Sequence, residues 1–101
     1  MAVLTASSAD GKELIIKIKV RFDFSTHQEF RNAYEQAPLE VSCYVVDLKD
    51  ATYLDSSALG MLLLLRDHAG GDSSQVKIVN CNADVKKILT ISNFEQLFTI
   101  V

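Results

Sequence analysis

The residues whose types and spacing could do chemistry lie in one stretch, Thr52-Tyr53-Leu54-Asp55-Ser56-Ser57-Ala58-Leu59-Gly60, which runs into the apolar segment Met61 to Leu65. Upstream, Ser42-Cys43-Tyr44-Val45-Val46-Asp47-Leu48 is short, apolar and rich in β-branched and aromatic residues, which predicts a strand buried on both faces. Downstream, residues 58–69 are rich in Ala, Leu and Met, strong helix formers, and Gly70-Gly71 stops them. The stretch is therefore a junction from strand to helix. Asp and Ser at such a junction accept hydrogen bonds from the unpaired amides of the first helical turn, where the helix dipole favours negative charge. Asp55, Ser56 and Ser57 read on pattern alone as an ordinary helix cap, and the same hydroxyls are well placed to carry a phosphate.

Other chemistry finds less support. A nucleophilic serine needs a base, usually histidine, oriented by a third group. His68 lies about 18 Å beyond Ser56 along the same predicted helix at about 1.5 Å per residue, out of hydrogen-bonding reach. There is no G-x-S-x-G elbow and no Gly-rich phosphate loop, so no enzymatic activity and no cofactor are expected. His27 has no histidine, cysteine or carboxylate at ligand spacing, and no metal site is expected. A phospho-aspartate receiver built on Asp47 or Asp50 would need acidic magnesium ligands from an early strand, and Leu14 to Val20 supplies none.

The elements that must position the junction follow from periodicity. Val3 to Ser7 and Glu13 to Val20 flank Asp10-Gly11, a hairpin signal. In the second run Leu14, Ile16, Ile18 and Val20 alternate with Lys17, Lys19 and Arg21, which predicts a core face and a basic, wetted one. Ser25 and Gln28 suggest an S-x-x-Q capping box for a helix over residues 26–36, with Phe30, Ala33, Tyr34 and Ala37 inward and Pro38 as its stop. Residues 70–74 read as a loop and Val76 to Cys81 as a strand. Asn82 caps a helix carrying Val85, Ile88 and Leu89 inward, and Ser92 with Glu95 marks a short terminal helix. The order β-β-α-β-α-β-α-α implies an α/β fold, a mixed sheet of about four strands with helices packed mainly on one face.

With 101 residues, 49% of them hydrophobic and 23% charged, the chain makes one globular domain over residues 1–101. A net charge of −3 argues against a nucleic-acid partner. No stretch reaches the length of a membrane span, and no basic-then-apolar leader opens the chain, so cytoplasmic residence without membrane insertion is expected. Cys43 and Cys81 fall in predicted strands and read as reduced core residues.

Val46-Asp47-Leu48, a short loop and then Asp55-Ser56-Ser57-Ala58-Leu59-Gly60 resemble the signature of the STAS-domain anti-sigma-factor antagonists, bacterial proteins switched by phosphorylation of the serine directly after the aspartate. Arg21-Phe22-Asp23-Phe24-Ser25 resembles that family's loop into its first helix, and Val76-Lys77-Ile78-Val79-Asn80 its last strand. Ala58 departs from the pattern, standing where many members have glycine. The resemblance implies a single STAS-like domain acting as a phosphorylation-controlled partner switch with Ser56 as acceptor. The unphosphorylated form would bind an anti-sigma serine kinase of histidine-kinase-like ATPase fold, and a metal-dependent serine phosphatase would reset it. It also implies a partner surface of Asp23, Phe24, Ser25, Tyr53, Leu54, Asp55, Ser56, Ser57, Ala58, Leu59, Met61 and Leu62. STAS-like domains occur as adaptors in membrane or lipid-transport assemblies too, which is the alternative role. Because residues 58–65 are apolar almost all round a helix, more than the stripe of about 100° that a one-sided helix needs, some of them are expected to meet either neighbouring helices or a partner.

Overall fold

A computed structural model describes residues 3–37, 40–71 and 75–101. Strands β1 (Val3–Ser7) and β2 (Glu13–Ile18) form the expected antiparallel hairpin. Gly11 turns it at φ 74°, a conformation that glycine adopts without a Cβ penalty. The chain then runs through β3 (Val20–Phe22), a one-turn 3-10 helix (Phe24–Thr26), α1 (His27–Glu35), β4 (Cys43–Asp47), β5 (Ala51–Leu54) and α2 (Ser56–His68). It closes with β6 (Val76–Val79), α3 (Ala83–Ile91), a second 3-10 turn (Phe94–Gln96) and β7 (Thr99–Ile100).

The main sheet is mixed and five-stranded, in the order β1-β2-β4-β6-β7, with every pair after the hairpin parallel. Its register stacks Ile16, Val46 and Ile78 in one inward row and Leu14, Tyr44 and Val76 in the next. These six are buried, whereas Lys17 and Lys77 on the alternate positions are exposed. Phe30 and Tyr34 of α1, Ala58, Met61, Leu62 and Leu65 of α2, and Val85 and Leu89 of α3 complete a single core. The α/β layer is thus the predicted one, with a fifth strand at the far edge.

Four features depart from the sequence pattern. The second run is two strands, because Val20 takes a left-handed φ of 65° and its amide donates to the Asp50 carbonyl. Val20 consequently points to solvent and does not join Leu14, Ile16 and Ile18 inside. β5 is a strand of its own, paired in parallel with β3 in a separate two-stranded sheet. The S-x-x-Q box does not form: Asp23 caps the 3-10 turn before α1, and the Gln28 side chain donates instead to Asn32. Nor does Ser92 open a helix, since it ends α3, and Asn93 in a left-handed conformation leads into a single 3-10 turn and then β7. Asn82 does cap α3, its Oδ1 accepting from the Val85 amide at 2.8 Å. The predicted stop at Pro38 and the loop at Asp72, Ser73 and Ser74 lie outside the described residues.

Candidate functional site

The small β3–β5 sheet continues the chain beyond the C-terminal ends of β2 and β4, the end of a parallel sheet at which α/β proteins present their sites. Both of its strands stop at an aspartate. After β3, Asp23 Oδ1 accepts from the Ser25 amide at 3.0 Å and from the Ser25 hydroxyl, and the Thr26 hydroxyl donates to the Asp23 carbonyl at 2.8 Å. After β5, Asp55 adopts extended backbone and its Oδ1 accepts from the Ala58 amide at 3.1 Å, which makes it the N-cap of α2. Ser56 and Ser57 are then the first two helical residues. The Ser56 side chain is exposed and that of Ser57 half-buried, so of the two hydroxyls Ser56 is the more accessible.

Around this junction Phe24 is 73% exposed with its ring stacked on His27, and Tyr53 is 41% exposed beneath the Arg21 guanidinium. Exposed aromatics are not a core feature; Tyr53 lies three residues before Ser56, and Phe24 follows the end of β3, the strand paired with β5. Leu54, Ala58, Met61 and Leu62 were expected at a partner surface from their place in the motif, and here the structure corrects the sequence. All four are buried in the domain core: Leu54 at the end of β5, and the other three because α2 turns positions 58, 61, 62 and 65 inward. Asp23 is itself nearly buried, held in the turn it builds, and Leu59 is half-buried. The apolar excess of α2 emerges elsewhere, at Leu63 and Leu64, which are 40% and 50% exposed. Residues spaced four and seven apart share a helix face, so Ser56, Gly60 and Leu63 form one outward stripe with Leu64 beside it. Sequence reasoning had no reason to prefer those two leucines, since helical phase relative to the sheet decides which side of an all-apolar helix is covered.

Gly60 sits in that stripe with open space around it: a Cβ placed there meets nothing within 4 Å. Nothing inside the domain requires glycine. Gly60→Ala is therefore expected to raise the stability of the free protein by about 0.4 to 1 kcal/mol through the unfolded chain's entropy, read as a higher urea midpoint at unchanged slope.

The electrostatics are local. The Ser25 hydroxyl, and after it the Arg21 guanidinium, hold the Asp23 carboxyl below the usual carboxylate range. A group whose folded pKa is depressed contributes stability above its unfolded value, about 3.9, and loses it as pH falls through the folded value. Wild type should accordingly exceed Asp23→Asn in stability at neutral pH, with the gap closing below about pH 4, as denaturant titrations across that range would show. Burial pushes the Cys43 and Cys81 thiols up; Cys43 is buried in β4 as expected, whereas Cys81 lies beyond the end of β6 and is half-buried against the core.

Residues considered for other chemistry are not assembled with Ser56. His68 lies at the opposite end of α2, its ring 4.9 Å from that of Tyr34 and 6.2 Å from that of Tyr44. Asp47 Oδ1 accepts from the Lys49 amide and the Asn80 side chain, closing the turn after β4. Among the described residues no cluster of three His, Cys, Asp or Glu could hold a metal ion, and no helix is long and apolar enough to cross a membrane.

A small α/β domain with an aspartate-capped, exposed serine at a strand-to-helix junction is the arrangement that the fold and the site define together. Residues 5–101 match the family model described as Mlab, STAS domain, and the chain belongs to the STAS-domain family. A STAS-domain-containing protein of Pseudomonas aeruginosa strain UCBPP-PA14 is 63% identical over 100 residues, covering 99% of both chains. Among solved structures, the unphosphorylated form of the anti-sigma factor antagonist SpoIIAA superposes with a TM-score of 0.78 at 15% identity, covering 99% of this chain and 88% of SpoIIAA. A sulfate transporter family protein from Wolinella succinogenes superposes with a TM-score of 0.74 at 11% identity, covering 93% and 80%. The fold is thus that of anti-sigma factor antagonists and also of a transporter-family domain.

Proposed function

We propose that this protein is an anti-sigma-factor antagonist that works as a partner switch: unmodified, it binds an anti-sigma serine kinase or a related regulator, and phosphate on Ser56 ends that binding. The observation that carries the reading is the exposed Ser56 directly after the Asp55 cap, on one helix face with Gly60 and Leu63, at the end of a small sheet whose strands carry the exposed Tyr53 and lead into the exposed Phe24. An exposed apolar patch rimmed by polar groups is what a protein contact needs, and a modifiable hydroxyl at its edge lets charge control that contact. The protein itself catalyses nothing in this scheme. A kinase of histidine-kinase-like ATPase fold supplies the phosphate and a metal-dependent phosphatase removes it, all within the cytoplasm.

The same fold in a sulfate transporter family protein favours a second reading, an adaptor in a membrane-transport assembly. One experiment separates the two. The tagged protein is captured from the native cell, its partners are identified, and its phosphorylation is mapped by mass spectrometry. The switch expects a kinase and phosphate at Ser56; capture of a transporter ATPase with Ser56 unmodified supports the adaptor, and phosphate confined to Ser57 overturns the acceptor assignment.

A further inference from the structure

Arg21 occupies a position that the switch as described does not use. It pairs with Tyr53 across the β3–β5 register, its Cζ lies 4.3 Å from the Tyr53 ring centroid, and its Nε donates to Asp23 Oδ2 at 2.8 Å. The Arg21 side chain is 59% exposed, whereas that of Asp23 is 13% exposed. The anchored member of the pair is thus the carboxylate, which Ser25 holds from its amide and hydroxyl, while the guanidinium is the free arm.

That arm springs from the strand beside the one that leads into Ser56. Tyr53 and Ser56 are three residues apart, at most about 11 Å along the chain, and neighbouring strands are about 4.8 Å apart. The hydrogen bond to Asp23, and after it the charges of Asp23, Tyr53 and, least, Asp55, favour the protonated guanidinium, so Arg21 lies in the field of the residue beside Ser56. Exposed ion pairs are weak and exchange readily. A phosphoserine brings about 1.5 to 2 negative charges and three acceptor oxygens that match the guanidinium fork better than one carboxylate oxygen does.

We infer that Arg21 is the intramolecular receiver of phosphate on Ser56: the guanidinium leaves Asp23 Oδ2 and closes on the phosphate, and Asp23 keeps only its bonds to Ser25. The inference rests on Ser56 as the acceptor and adds a consequence. Modification at the head of α2 also draws Arg21 off the Asp23 carboxylate and the Tyr53 ring, so both halves of the proposed contact surface change together.

The test installs phosphoserine at position 56 by genetic-code expansion and follows the second ionisation of the phosphate by phosphorus NMR in about 0.5 M salt, where distant charges are screened. With Arg21 present the midpoint is expected at least about 0.5 pH unit lower than in Arg21→Gln, since a contacting cation favours the dianion. Asp23→Asn, which removes the competing carboxylate, is expected to lower it further. Amide spectra of each protein verify that the fold is kept. Equal midpoints with and without Arg21, or a midpoint unmoved by Asp23→Asn, would overturn the assignment. Because the phosphate is installed without a kinase, that failure concerns Arg21 alone, whereas absence of phosphate on Ser56 in the cellular protein concerns the acceptor alone.

Discussion

Protein phosphorylated at Ser56 is expected to bind its anti-sigma partner at least about tenfold more weakly than unmodified protein, a difference of about 1.4 kcal/mol. The modification adds about 1.5 to 2 negative charges at neutral pH, next to Asp55 and at the head of the outward stripe of α2. Within the free domain this is tolerated, because the N-terminus of α2 favours an anion by about 0.3 to 1 kcal/mol and Ser56 buries nothing of the core. Across an interface the balance reverses. Enclosing a phosphoserine against an apolar surface costs several kcal/mol, and the single charge of Arg21 offsets only part of its about 1.5 to 2 negative charges. Ser56→Ala should therefore bind like wild type. Ser56→Asp, with one charge in place of nearly two, should be weaker than wild type and stronger than the phosphorylated form. Calorimetry with the purified kinase measures all four, and circular dichroism shows that each is folded. Equal affinity of the modified and unmodified forms refutes the switch.

The second large effect separates the two sides of α2. Leu62→Ala is expected to cost about 2 to 5 kcal/mol, the range for a large-to-small change in a packed core, because Leu62 is fully enclosed. Small domains are stable by only about 5 to 15 kcal/mol, so the loss takes a large share of the total. Thermal unfolding should fall by about 8 to 40 °C, at about 4 to 8 °C per kcal/mol for a domain of this size. Leu64→Ala, two residues on and about 200° round the helix, should leave stability within about 0.5 kcal/mol, since the side chain is half in water already. Its effect belongs to binding, where loss of an apolar anchor costs more than about 1 kcal/mol if Leu64 lies in the centre of the contact. A Leu64→Ala protein with wild-type affinity would remove this stripe from the interface and leave Phe24 and Tyr53 as its apolar part.

Much of the fold was legible because its signals are local. The Asp10-Gly11 hairpin, the alternation of Leu14, Ile16 and Ile18, the Asn82 cap and the breadth of α2 each depend on residues a few positions apart, and the structure places all of them as expected. The junction was equally local, since an aspartate followed by two serines before a run of helix formers can end a strand and cap a helix whatever surrounds it.

Other features are decided by contacts between distant parts of the chain. Two strands stand where Leu14 to Val20 reads as one, because Val20 meets Asp50 thirty residues on and β5 offers β3 a separate partner. The capping box at Ser25 and Gln28 lost to Asp23, whose carboxylate reaches the Ser25 amide before the helix begins. Met61 and Leu62 carry the same chemistry as Leu63 and Leu64, and only the packing of α2 against the sheet and α1 sorts them into core and surface. Composition states how much apolar surface a helix has; its phase against the rest of the fold states which part is covered. The Arg21, Asp23 and Tyr53 arrangement is of that second kind, for it brings Arg21, held by Asp23, onto a tyrosine of a distant strand through a parallel pairing that leaves no periodic trace in the sequence.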